Sequence, residues 1–292
     1  MTYSIKQAEA LTQILCGEFF VALGLPKYGI FSKIFTPLIR KPVHRFSIIA
    51  SGFDQRAETI GFQSASQWIL PNFADTVTVR GNENIPSSGP LLIVANHPGA
   101  YDSLVITAQV PRDDIKIIVN LPLDFISELS ATLSHFLYAP LDPHLRMNVV
   151  RSGIRHLRSG GSILIYASGG MDPDPATMTG AEFEIKNWSR SIEFILEKVP
   201  ATRLVIAMVS GIISQRYVNH IFTHFRRERV DKQRISEFFQ VMRQMLTPGT
   251  IKQTPKVSFS LPFSLDELNE SDSTLDSIKI KALALLNDHI NI

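Results

Sequence analysis

The run LLIVANHPGAYDSLVITA, residues 91–108, constrains this chain more than any other stretch. Its first five residues are all apolar, without alternation, and turn-forming residues bound the run, which is the pattern of a strand covered on both faces. Such a strand requires helices on each side of its sheet. Beyond it, HPGAYD breaks the run and an apolar helix starts near Asp102. On one continuous helix His97 and Asp102, five residues apart, would point about 140° away from each other. A bend is therefore needed if they are to meet. Pro98 biases His97 away from the helical region and Gly99 permits positive φ, so the segment can carry the Asp102 carboxylate back to the imidazole.

The rest of the chain repeats the strand and helix alternation. TVTVRG from Thr76 alternates like a strand, NENIPSSGP is a turn, and short apolar runs at Ile115–Val119, Ser162–Tyr166, Arg203–Val209 and Lys256–Leu261 read as further strands. A helix is expected over Met147–Arg158, ended by Ser159, Gly160 and Gly161. The tail from Leu265 to Ile292 reads as helical. Residues 1–72 read as an N-terminal helical region broken at Pro26, Pro37 and Pro42. The expected architecture is α/β, a mixed or largely parallel sheet flanked by helices. Its expected division is an N-terminal helical region over 1–72 and an α/β domain with a C-terminal helix over 73–292. With 45% apolar residues in 292, such a core can be filled.

The chemistry follows if Asp102 accepts a hydrogen bond from one ring nitrogen of His97. That bond fixes the tautomer and leaves the other nitrogen free to take a proton, so His97 can serve as a general base. An alcohol attacking a carbonyl gains about 100- to 10,000-fold from such a base, and no nucleophile on the protein is required. The competing assignment makes Asp102 only the N-cap of a helix beginning at Ser103, with His97 a turn residue.

With NHPGAYD at a strand-to-helix junction, the segment resembles the first motif, NH-x4-D, of the glycerolipid acyltransferase family, which includes glycerol-3-phosphate and lysophosphatidic acid acyltransferases. The approach VRGNENIPSSGPLLIVANH is similar to the family's as well, and the resemblance spans roughly residues 75–262. It implies a glycerol-3-phosphate acyltransferase-like fold in which His97 and Asp102 are catalytic and Asn96 matches the motif. The family's third motif, a strand followed by Phe-Pro-Glu-Gly, corresponds to ILIYASGG. There Gly169 matches, while Ala167 and Ser168 replace Pro and Glu. Ser168, Gly169 and Gly170 are thus candidate substrate-binding residues, and the glycine amides are candidate donors to a developing oxyanion. Arg146 is the candidate for the family's phosphate-binding arginine. LVIAMVSG takes the place of the fourth motif without its central proline.

The resemblance implies an O-acyltransferase that uses acyl-CoA or an acyl carrier protein as co-substrate, with no metal or redox cofactor. Its acceptor is expected to be a glycerolipid or lysophospholipid-type hydroxyl. The alternative is a lipid-binding protein that keeps the fold without turnover, and a thioesterase-like side reaction would put water in the acceptor's place.

Composition narrows the partners. A net charge of +2 gives no reason to expect nucleic acid. Cys16, the sole cysteine, is expected to be a buried packing residue and excludes an internal disulfide. No apolar run approaches the ~18 residues of a membrane-spanning helix, and the N-terminus lacks a secretory layout. A cytoplasmic protein that touches a membrane only peripherally is the expectation. His220 and His224 stand four apart on an expected helix, yet position 221 is isoleucine where a zinc-protease pattern needs glutamate. Arg226, Arg227 and Arg229 beside Phe222 and Phe225 form a short basic run suited to anionic lipid or to solvent. Ser168 lacks the preceding glycine of a nucleophile elbow. The stretch DPDP, Asp172 to Pro175, reads as a turn, with Asp172 a possible substitute for the missing glutamate.

Overall fold

The computed structural model describes residues 2–22, 26–120, 123–140, 143–268 and 273–291. The chain opens with α1 (Thr2–Ala22), α2 (Ile30–Ile60) and α3 (Phe62–Ile69), followed by β1 (Thr78–Arg80), β2 (Leu91–Ala95), α4 (Asp102–Thr107) and β3 (Ile115–Val119). Next come α5 (Leu123–Ser127), α6 (Ser130–Leu133), β4 (Phe136–Tyr138), α7 (Pro143–Arg158), β5 (Ser162–Tyr166), α8 (Ala181–Lys186) and α9 (Ser191–Lys198). The last third holds β6 (Arg203–Ser210), α10 (Gln215–Val218), α11 (Arg229–Leu246), β7 (Lys256–Phe259), α12 (Leu265–Leu268) and α13 (Thr274–Ile290).

Seven strands form one sheet in the order β1-β7-β6-β2-β5-β3-β4. Every neighbouring pair is parallel except β6 with β7. This is the mixed, mostly parallel α/β sheet expected. β2 lies between β5 and β6, and its five residues are all buried. Successive side chains of a strand point to opposite faces, so Leu91, Ile93 and Ala95 enter one core with Ile49, Phe53 and Phe62 from α2 and α3. Leu92 and Val94 enter the other with Leu157, Ile192, Ile195 and Ile278 from α7, α9 and α13. The unalternating run in β2 is thus explained by helices on both faces.

The N-terminal helices depart from expectation at two prolines. Pro37 and Pro42 lie inside α2, which runs on through both. Each removes one N–H from the helix. Packing against α1 offsets that loss: Glu9 pairs with Arg40, Thr12 Oγ1 lies 3.1 Å from His44 Nδ1, and Gln7 donates to Asp54 at 3.0 Å. Tertiary contact, rather than local propensity, sets the helix here. Cys16 is buried in this region, and burial pushes its thiol pKa up. In the tail, the expected single helix is two, α12 and α13, the second capped by Ser273 Oγ, which accepts from Asp276 N at 3.1 Å. β4, inside the stretch HFLYAPLD, had no counterpart in the sequence reading.

Candidate active site

The C-terminal end of β2 delivers Asn96 and His97, and the next five residues fold back as required. His97 Nδ1 lies 2.8 Å from Asp102 Oδ2. The carboxylate is an acceptor on both oxygens: Oδ2 also receives the Gly99 amide at 3.0 Å, and Oδ1 receives the Tyr166 hydroxyl. With Asp102 accepting, Nδ1 carries the ring proton and Nε2 has the lone pair. The His97 ring stacks on Tyr166 at the end of β5, centroids 4.1 Å apart and 23° between planes. Asp102 has no exposed side-chain surface, whereas 28% of the His97 side chain remains open. A buried carboxylate therefore holds an accessible imidazole.

Asp102 is not an N-cap. It is the first residue of α4, Tyr101 is the capping position, and the carboxylate faces backwards to the turn. Gly99 has no positive φ. Its need for glycine is one of space, because an added Cβ would sit 2.6 Å from Ile212 Cγ2 and 2.7 Å from Glu237 Oε1.

Burial pulls the His97 pKa down, but the charge and hydrogen bond of Asp102, with Glu237 and Asp172 beyond, outweigh it and leave it above its ordinary value. Burial and the Asp102 charge drive the Tyr166 hydroxyl far above its usual range, so it stays protonated as a donor. Asp172 bonds the His97 backbone twice, its Oδ2 accepting the His97 amide and its amide donating to the His97 carbonyl, both at 2.8 Å. Asp174 accepts four amides, those of Ala176, Gly211, Ile212 and Ile213, at 2.7 to 3.0 Å. DPDP is therefore a brace. Asp172, only 1% exposed, orients His97 and does not offer the open carboxylate that a substitute for the acceptor-binding glutamate would need.

Several other candidates find different places. Asn96 is buried and spends both ends of its amide on β6, donating to the Val209 carbonyl at 2.9 Å and accepting the Val209 amide at 2.8 Å. It pins strand to strand and does not reach for substrate. Gly169 and Gly170 are exposed, but their amides already have acceptors, Tyr166 O at 3.1 Å and Ser168 Oγ at 3.3 Å. This corrects their assignment as oxyanion donors. Ser168 Oγ in turn donates to the Gly170 carbonyl at 3.0 Å. Arg146 falls within α7, and its side chain lies outside the described residues.

His220 precedes a short 3-10 turn, Ile221–Phe225, that holds His224, so the expected helix with both rings on one face is absent. His220 instead stacks against Tyr217 and Phe239. Among the described residues no cluster of three His, Cys, Asp or Glu could hold a metal ion. Arg229 leaves the proposed basic run, since its guanidinium bonds Glu184 at 3.0 Å, Met171 O at 2.8 Å and Gln233 at 2.7 Å.

Residues 76–192 match the family described as acyltransferase. That span includes His97, Asp102, Tyr166, Asp172 and Asp174. Over those residues the chain is similar to an acyltransferase domain. Among solved structures, the chain is similar to the crystal structure of the 1-acyl-sn-glycerophosphate (LPA) acyltransferase PlsC from Thermotoga maritima. The likeness has a TM-score of 0.46 and 14% identity, and covers 98% of this chain and 97% of that one. No curated protein matches the sequence.

Two residues that bond or face the pair escaped the sequence reading. Tyr166 was visible only as the last residue of a strand. Glu237 on α11 accepts the Ala100 amide within the turn. The spacing of polar residues on α11 was the available signal, but buried polar residues at helical intervals are read as a solvated face unless the packing is known.

Proposed function

We propose that the acyltransferase moves a fatty acyl group from an acyl-CoA or acyl carrier protein thioester to a hydroxyl of a glycerolipid or lysophospholipid-type acceptor. The observation that carries this reading is the 2.8 Å contact between a part-exposed imidazole and a fully buried carboxylate. His97 Nε2 takes the hydroxyl proton as the acceptor oxygen attacks the thioester carbonyl. The new C–O bond forms, the C–S bond breaks, and the proton held on His97 passes to the departing thiolate. Asp102 supports the imidazolium between those steps.

An acceptor of this kind resides in a bilayer, and no helix among the described residues is long and apolar enough to cross a membrane. Peripheral contact is the corresponding reading. α2 supports it by exposing Ile30, Ile34 and Leu38, one turn apart on a single face, at 71%, 61% and 71%. Lys33 and Lys41 are exposed on the same helix, and apolar residues beside cations suit an anionic lipid surface.

The test follows thiol release from acyl-CoA and from acyl carrier protein with a panel of lysophospholipid and glycerolipid acceptors, in wild type and His97→Ala. Acylated lipid formed by the wild type and lost in the variant is the expected result. Lipid binding without release in either protein would establish a non-catalytic lipid-binding protein instead. Free fatty acid without acylated lipid would mark a thioesterase.

A further inference from the structure

The turn that brings His97 and Asp102 together is held from outside the family-matched segment, by α11. This helix buries Gln233, Glu237, Gln240 and Gln244 at spacings of four, three and four, which is one helical face. Each of them meets loop backbone. Gln233 donates to the carbonyls of Pro98 at 2.8 Å and Asp172 at 2.7 Å. Gln240 donates to Ile212 O and accepts the Ser214 amide, both at 2.8 Å, and Gln244 donates to Phe73 O at 2.6 Å. Glu237 differs from the other three in being a carboxylic acid, and it accepts the N–H of Ala100, midway between His97 and Asp102. A glutamine could accept the same bond. What glutamate adds is a negative charge in a buried site, which costs free energy unless another group uses it.

We propose that Glu237 is a positioning residue for the His97–Asp102 pair: its bond to Ala100 sets the turn, and its charge favours the imidazolium formed when His97 takes a proton. The inference rests on the general-base reading given above. The titratable groups that face Glu237 are Asp102, His97 and Asp174, with the Tyr101 hydroxyl beside them. The two aspartates oppose its charge and His97 favours it. Tyr101 is locked on Ile212 O at 2.9 Å. Burial pushes the Glu237 carboxyl up to about 7, against the pull of the Ala100 amide. Each of the two groups acts on the other's charge, so removing the Glu237 charge is to be read at His97.

The test uses the full chain and compares wild type, Glu237→Gln and Glu237→Ala by NMR titration of the His97 ring and by the pH dependence of thiol release. Gln keeps the acceptor and removes the charge. Its His97 midpoint should fall by about half a pH unit or more. The acid limb of kcat/KM should move the same way with KM little changed. Ala also loses the bond, and kcat should drop about tenfold or more below that of Gln. A His97 curve in Glu237→Gln that superimposes on the wild type would overturn the proposal. If Glu237→Ala does not fold, the Gln variant still decides. If wild type transfers no acyl group to any acceptor, the acyl-transfer reading fails, while the His97 titration still reports on Glu237.

Discussion

Replacing Asp102 with Asn separates the charge of this carboxylate from its hydrogen bonds. Asp102 receives three donors: His97 Nδ1–H and Gly99 N–H on Oδ2, and the Tyr166 hydroxyl on Oδ1. An asparagine with its carbonyl oxygen at the Oδ2 position accepts the first two. Its amide then donates to the Tyr166 oxygen, whose own hydrogen turns away. The bonds survive and the charge does not. Two unit charges about 4 Å apart at an effective dielectric near 20 interact by about 4 kcal/mol. Loss of that support for the imidazolium corresponds to a rate decrease of about 100- to 1,000-fold, within the range general-base catalysis supplies.

The His97 pKa, now raised, should fall once the Asp102 charge is gone and only Glu237 and Asp172 oppose burial. Asp102→Ala, by contrast, strands the buried Gly99 N–H and leaves a cavity. It should be about 2–3 kcal/mol less stable than Asn, a drop in Tm of roughly 5–10 °C. Thiol release measured from pH 6 to 9, alongside thermal unfolding, gives both quantities. An Asn variant within about threefold of wild-type activity across that range would refute the argument, because the charge would then do nothing for His97.

Gly99→Ala should destabilise the protein by about 1–3 kcal/mol and lower kcat, because the new methyl meets Ile212 and Glu237 closer than 3 Å; unfolding and thiol release unchanged from wild type would contradict this. Asp174→Ala removes the acceptor of four amides, three of them in the 211–213 loop, and a loss of at least about 3 kcal/mol is expected in chemical denaturation. Glu237→Gln should alter stability with a definite sign. The folded pKa, about 7, lies above the ordinary 4.5, so the wild type loses stability as pH rises from 4.5 through 7. The difference of about 2.5 units corresponds to at most about 3 kcal/mol. The variant should therefore gain on the wild type between pH 5 and 8, and parallel stability curves would count against a buried, titrating carboxyl.

How far each feature was legible follows from how local its cause is. β2, β5 and β6 were visible because an apolar run between turn residues records burial on both faces directly. The His97–Asp102 contact was visible because Pro98 and Gly99 announce a bend and the five-residue spacing then permits the meeting. Pro37 and Pro42 misled, since the packing of α1 against α2 outweighs a local preference. Asn96, Ser168, Gly169 and Gly170 have residue types that suit substrate binding, yet their bonding partners are a strand 113 residues away for Asn96, Tyr166 O for Gly169, and one another for Ser168 and Gly170. What the sequence determined by itself is the pair and the strand that presents it. The tertiary structure decided what holds the pair in place: Tyr166 across the sheet, Asp172 on the His97 backbone, and Glu237 on a helix 137 residues beyond Ala100. A buried polar residue has no signature in one dimension, because the same glutamate on an exposed helix would read identically, and only the fold removes the water that would otherwise make its charge inconsequential.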